Sequence, residues 1–380
     1  MQKMHARKRS RPGDGVRRWL RPLGAAGAIM AGLAAASAPA AAQSPRKVIL
    51  GVPSAVSIST APLVMPTEMG FFKEASLELE IVVLSGDGTM IPQLANGGLT
   101  FAWSGPETLI TARQPGKDYL PIKLFYNHHR TYIYEIVVPE GSAIKTVSDL
   151  RGQKLGIGAF TWGAVLITRT ILKENGLEPG KNVEFVAVGV GAPAFQAFTS
   201  GQINALNLYD TMHATMESRG AKIRRLPLPE RYADLPTNGF AAHVDAFQKD
   251  RALLVSFGKA MAMGTVACKA NVKACVRAVW KRYPQIRPTS GNEETNLSVQ
   301  ATILEQRLDK MLRFPSGVPA RYGEYPREVW EAYTNILFEA GQIATKDVDY
   351  DTMYTNDLVA DMNTFDVEKV RQQARALTVK

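Results

Sequence analysis

The sequence predicts an α/β protein made of two similar lobes. Three observations predict it. Strand-length apolar runs alternate with helical periodicity, and the same alternation begins again about a hundred residues later. The chain between the two runs is too rich in β-forming residues for one compact lobe.

In the first unit, RKVILGV (46–52) reads as a buried strand, and STAPLVMPTEMGFFKEA as an amphipathic helix ending near Gly70. LELEIVVLSGDG alternates and then turns apolar, so it predicts a strand running into a glycine turn. MIPQLANGG is a short helix closed by glycine, LTFAWSG the next strand and PETLITARQ the next helix. The second unit repeats this grammar: strand KLGIGAF, helix WGAVLITRTILKENGL, strand NVEFVAVGVG, helix APAFQAFTSGQ and strand INALNLYD. The stretch Gly86–Gly97 matches Gly191–Gly201 in architecture, as strand, glycine turn, short helix, glycine and strand, without being a sequence repeat.

LFYNHHRTYIYEIVV reads as a strand pair crossing from the first lobe to the second, with LPTNGFAAHVDAF (235–247) as the return. Two crossings, near Asn127–Thr131 and Asn238–Ala241, describe a hinge with a cleft. The remainder is helical and is expected to pack on the first lobe. The expected division is a signal peptide over 1–42, a first lobe over 43–131, a second lobe over 132–240, and completion of the first lobe with C-terminal helices over 241–380.

The N-terminal segment carries a basic stretch, the apolar run LGAAGAIMAGLAAASAP and a small-residue site at Ala40-Ala41-Ala42. That run is shorter than the roughly 20 residues a spanning helix needs, so cleavage after Ala42 and export to the periplasm are expected, by the general or the twin-arginine route. The leader holds eight of the 45 Lys and Arg residues and one of the 35 acids, which leaves 37 basic against 34 acidic residues. The net charge of +10 is therefore mostly the leader's and gives no case for nucleic-acid binding. No second apolar run is expected to cross a bilayer. Cys268 and Cys275 are too far apart for a bridge within one straight helix. They form either a disulfide across a break at Asn271 or two buried thiols.

None of the chemical motifs in the sequence is complete. GIGAFTWG places its third glycine two residues too late for a dinucleotide loop, and VGVGAPAF has Ala194 where that glycine belongs. DVDYDTM (347–353) lacks the glycine and the final acid of a calcium loop. His128 and His129, read as neighbours in a strand, point to opposite faces and cannot share a metal. No catalytic constellation stands out, and no cofactor or metal is expected.

What remains is a set of turns at the carboxyl ends of strands, where α/β sheets bind ligands. The candidates are Ser54, Ser57, Ser59, Thr60, Gly86, Trp103, Ser104, Asn127, His128, Phe160, Thr161, Trp162, Tyr209, Asp210 and Asn238. Turn and cap chemistry is the ordinary role of such hydroxyls, and core packing that of such aromatics. Trp103 and Trp162 stand out because both sit at strand ends beside small polar residues. Hydroxyls, N–H groups and aromatic plates suit a small, partly planar organic ligand, neutral or anionic.

With these pieces placed, the chain resembles the nitrate/sulfonate/taurine-type substrate-binding proteins of ABC importers, a group that includes pyrimidine-precursor carriers. The segments that carry the resemblance are EMGFFKEASLELEIV, PQLANGGLTFAWSG, EIVVPEGSAIKTVSDLRGQKLGIG, ILKENGLEPGKNVEFVAVGVGAPAFQAFTSGQINAL and NGFAAHVDAF. The resemblance implies a type II periplasmic-binding-protein fold, a monomer closing on one small molecule, and an inner-membrane permease with its ATPase as partners. Ala75-Ser76 departs from the family's turn glycine. Two further classes are an enzyme on the same fold, resembling a pyrimidine-precursor synthase, and a periplasmic sensor subunit.

Overall fold

Ten strands among the described residues form two five-stranded sheets with the same internal plan. The computed structural model describes residues 44–379, so the expected signal peptide over 1–42 lies outside the described residues. The strands are β1 (Arg46–Val52), β2 (Leu77–Val83), β3 (Phe101–Ser104), β4 (Ile122–Asn127), β5 (Tyr134–Pro139), β6 (Lys154–Ile157), β7 (Glu184–Ala187), β8 (Ala205–Tyr209), β9 (Ile223–Arg225) and β10 (Gly239–His243).

The first sheet runs β2-β1-β3-β10-β4 and the second β7-β6-β8-β5-β9. In the first, β1 lies parallel to β2 and β3. In the second, β6 lies parallel to β7 and β8. Each parallel trio is then joined by one strand of opposite direction, β10 beside β3 and β5 beside β8. The echo between KVILGV and KLGIGAF is therefore an echo of topology: both open the parallel trio of their sheet.

The long β-rich run divides at His128. β4 ends the first sheet, β5 enters the second, and β10 returns to pair with both β3 and β4. This is the two-lobed α/β architecture with a double crossing. At the crossings the backbone N–H groups of His128 and His129 both donate to the Asn238 carbonyl, at 3.2 and 2.7 Å, and the Thr237 N–H donates to the His129 carbonyl at 3.1 Å. The two histidines are consequently not strand neighbours on opposite faces. Beyond Asn127 the chain leaves the sheet to reach Asn238, and their rings stack with centroids 5.1 Å apart.

The C-terminal helices Arg251–Ala270, Val272–Arg282 and Glu293–Met311 share a core with the first sheet, including Val48, Leu50, Phe101, Phe257, Val276 and Leu304. Arg251–Ala270 corrects one expectation, because it is long and apolar enough to cross a membrane. Its Leu254, Phe257 and Met261 are fully buried in that core. Helix Arg327–Glu339 instead joins a core shared with the second lobe, where Trp330 and Leu337 meet Ile136, Leu155 and Ile167.

Two local features follow from the sequence. Asn271 breaks the helix, and its side chain accepts the Ala274 N–H at 3.1 Å. The break folds one helix back on the other and brings the Cα atoms of Cys268 and Cys275 to 5.1 Å, where they are bridged. Ser76, standing where the resembled family has a turn glycine, is left-handed with φ 54°, alone among the described non-glycine residues.

Relieving that turn with Ser76→Gly is expected to raise stability by about 0.5–1 kcal/mol, measurable as a higher urea midpoint. Replacing both cysteines by alanine should cost about 2–3 kcal/mol, the loop-closure value for so short a loop. An unchanged midpoint would show that the bridge adds nothing to the native fold.

Candidate ligand-binding cleft

Between the lobes lies a small cavity of about 20 Å³, room for roughly one water. Its walls are Pro53 and Ser54 after β1, Ser59, Trp103 in β3, His129, Ile133 and Tyr134 from the first crossing, Trp162, Tyr209 at the end of β8, Asn238, and Arg307. Both lobes contribute, together with one C-terminal helix.

Aromatic rings make much of the lining. Trp162 and Tyr209 stack at 6.3 Å, Tyr134 lies 6.2 Å from Trp162, and Trp103 meets His129 edge-on at 5.0 Å. The stretch GIGAFTWG explains how Trp162 gets there. A side chain at Gly158 would occupy the position of the Trp162 ring, so glycine here gives clearance to an indole. Two polar atoms on the cavity wall, Trp103 Nε1 and His129 Nδ1, are buried without a hydrogen-bond partner among the described residues. Burial pushes the Tyr209 hydroxyl up, although Ser57 and Ser54 beside it pull it partly back.

Arg307 dominates the electrostatics. It is 1% exposed and reaches from helix Glu293–Met311 to Asp210 on the second lobe, donating through Nε at 3.0 Å and through a second, closer nitrogen. Lys310 reaches the other Asp210 oxygen at 2.8 Å. Burial alone would raise Asp210, but the Arg307 and Lys310 charges outweigh it and hold the carboxylate below its ordinary range. Burial, followed by the Arg307 charge, pushes His128 down to about 3 and His129 in the same direction. Both imidazoles are thus neutral.

The structure brings together Ser54, Ser59, Trp103, Trp162, Tyr209 and Asn238 from the sequence candidates. Asp210 stands behind them as the partner of Arg307. Ser57 and Thr60 are engaged in their own turn, where Ser57 N donates to Thr60 Oγ1 at 3.2 Å and Ser57 Oγ lies 2.8 Å from Ser59 Oγ. Asn127 donates to the Glu324 carbonyl at 3.2 Å, and His128 packs against Phe240 outside the cavity wall. Phe160 is 57% exposed. Gly86 and Thr161 sit where the lobes touch, Thr161 donating to the Ser85 carbonyl, whereas Ser104 bonds Asp87 at 2.5 Å within the first lobe.

Sequence reasoning missed His129, Tyr134 and above all Arg307. The helix bearing Arg307 reads as an ordinary amphipathic helix. The available signal was an arginine in the run ILEQRLDKML, at a position where helical spacing calls for an apolar residue.

Comparison with known proteins places the fold. The NMT1/THI5-like family model matches residues 57–274, more than half of the 380 residues. The chain belongs to the NMT1/THI5-like family. Among curated proteins it is similar to "Putative binding protein YtlA" of Bacillus subtilis (strain 168), at 27% identity over 208 residues, 54% of this chain and 61% of that protein. The chain thus matches less than two thirds of that relative's length. A solved structure from Bordetella bronchiseptica RB50 superimposes with TM-score 0.64 and 19% identity, covering 83% of this chain and 96% of the other. The alkanesulfonate-binding protein SsuA of Xanthomonas axonopodis pv. citri, bound to MOPS, gives TM-score 0.60 and 14% identity over 83% and 100% of the two chains. The desulfurization enzyme DSZB shares the fold more distantly, with TM-score 0.53 and 13% identity over 83% and 98%. These likenesses establish the periplasmic-binding-protein fold. Arg307 lies beyond the segment that the NMT1/THI5-like model matches.

Asp210→Asn leaves Arg307 buried beside a neutral amide and should lower stability by about 3 kcal/mol, read as a reduced urea midpoint. Adding Arg307→Met to that variant should recover part of the loss. Additive losses would show that the two groups act separately.

Proposed function

We propose that this protein is the periplasmic solute-binding component of an ABC importer. It captures a small organic anion between its lobes, unchanged, and delivers it to an inner-membrane permease and its ATPase. Residues 1–42 direct export, and the mature chain works as a monomer. Residues 43–131 and 241–380 form the lobe that carries Arg307, and residues 132–240 the lobe that closes on it.

The observation that carries this reading is the buried Arg307 guanidinium at a cleft lined by Trp103, Tyr134, Trp162 and Tyr209. A guanidinium with an unpaired indole donor beside it recognises an acidic group, and the rings accept a flat or apolar remainder. The alkanesulfonate named for the Xanthomonas protein is an anion of this kind. The cavity of about 20 Å³ is too small for such a ligand, so binding requires the lobes to open and reclose, and contact with both lobes rewards the closed form.

The test is thermal unfolding against small sulfonates, aromatic acids, pyrimidines and nitrate. A ligand at about 100 times its dissociation constant adds about 2.7 kcal/mol, an obvious shift in midpoint. At least one anion should give it, and Trp162→Ala and Arg307→Met should each weaken that ligand about tenfold or more without unfolding the protein. A shift given only by neutral compounds would overturn the anion assignment. Recovery of the ligand as a converted product would replace the binding protein with an enzyme.

A further inference from the structure

The lobes also meet at a clasp, where Ser85–Gly88 of the first lobe lies against Thr161–Gly163 of the second. Thr161 Oγ1 donates to the Ser85 carbonyl, and the Gly88 N–H donates to the Thr161 carbonyl at 3.2 Å. The Gly163 N–H donates to Asp87 Oδ2 at 2.9 Å. Gly86 adopts φ +95°, and a side chain there would meet Trp162 at 2.7 Å.

Two buried acids lie under this clasp. Asp87 is 8% exposed and Glu107 5%. Gly163 packs so closely over Glu107 that a Cβ would collide with its carboxyl group. The groups facing the acids are all neutral: Ser104 and Thr108 at Asp87, Tyr333 bonding Glu107 Oε2 at 2.8 Å, and the hydroxyls of Tyr132, Tyr134 and Tyr325. Neither acid has an ion pair among the described residues. Two carboxylates in one dry site cannot both ionise cheaply. Burial pushes Asp87 up as well, but it accepts from Ser104, from Gly163 and from its own N–H, so it is the better-stabilised anion of the two and the proton goes to Glu107.

We propose that closing the two lobes takes up one proton, held by the Asp87–Glu107 pair, so that the closed form gains as the pH falls toward neutrality. Burial first, and the Asp87 charge second, push Glu107 up to about 8. Opening withdraws the Gly163 edge and admits water, which returns Glu107 toward its ordinary 4.5. A carboxyl raised in the closed form favours closure fully below about 4.5, and that advantage is lost as the pH rises through about 8. Within that window the closed-to-open ratio falls by up to about tenfold per pH unit.

The cleft histidines act in the opposite sense. His128, pushed down to about 3, opposes closure only as the pH drops below its ordinary 6.5. The range above 6.5 therefore belongs to the acid pair. Asp210, held below its ordinary range, stays ionised throughout it. The inference needs only lobe closure and not the anion reading of the cleft.

The experiment measures closure directly, without ligand. Spin labels on cysteines introduced at exposed Lys73 and Lys181 report the distance between the lobes, and the described residues hold no free native thiol. Between pH 6.5 and 8.5 the closed-to-open ratio should fall at least tenfold. Glu107→Gln should remove that dependence. Tyr333→Phe, which takes a donor from the carboxylate, should move the curve to higher pH. A flat profile for the unmodified sequence, or a Glu107→Gln profile with the same slope, would overturn the proposal. If Glu107→Gln does not fold, the Tyr333→Phe curve decides alone: an upward move supports the proposal and an unmoved curve ends it.

Discussion

The carbonyl oxygen of Asn238 accepts the backbone N–H groups of both His128 and His129. One oxygen with two lone pairs thereby ties together the two strands of chain that join the lobes. Much of the cleft is hung from this knot. The first crossing runs on from it into Ile133 and Tyr134, and the second contributes Asn238, whose side-chain amide donates to the Trp103 carbonyl at 3.3 Å. Because the knot is backbone chemistry, the side chains around it are free to serve the cavity. It also overrides the alternation that strand geometry would impose on adjacent histidines.

Away from this knot, the lobes touch through two sets of buried charge that obey opposite rules. Asp210 has two cations and stays ionised. Asp87 and Glu107 have none, and one of them must carry a proton. A buried charge must be neutralised either by a partner or by its own titration, and the protein uses both. The partnered set is indifferent to pH near neutrality and presents a guanidinium to the cavity. The unpartnered set presents nothing to the cavity and answers to pH. The two sets thus answer to different conditions, although both depend on the same meeting of two surfaces.

The sequence made the architecture legible because the signals that set it are local. Strand–helix alternation, glycine turns and the β-rich crossing each read from about ten consecutive residues, and all recur in the two sheets. The cleft was legible where it is built from strand ends, as at Trp103, Trp162 and Tyr209. Arg307 was not, because its role depends on a helix that returns to the cleft after the second crossing, almost a hundred residues beyond its partner Asp210. Ser104 and Thr161 carried the same small-polar signal as Ser54 and Ser59, yet Thr161 bonds across the lobes and Ser104 bonds Asp87 within the first lobe, and neither lines the cavity. Composition at a strand end marks the region of the cleft but does not say which side of a closed interface a hydroxyl will face. The wrong facing of His128 and His129 has the same origin, since the strand ended two residues earlier than periodicity implied.

The loop Gly156–Gly163 joins these threads. Its glycines resemble a phosphate cradle, and a cradle would use them to bring backbone N–H groups to an anion. Here they give clearance. Gly158 makes room for the Trp162 indole, and Gly163 makes room for the Glu107 carboxyl, while its N–H is spent on Asp87. Trp162 faces the cavity on one side and Gly86 of the clasp on the other. The residue that walls the cavity is therefore flanked in sequence by the two that join the lobes, Thr161 and Gly163, so three consecutive residues build both the cavity wall and the contact between the lobes.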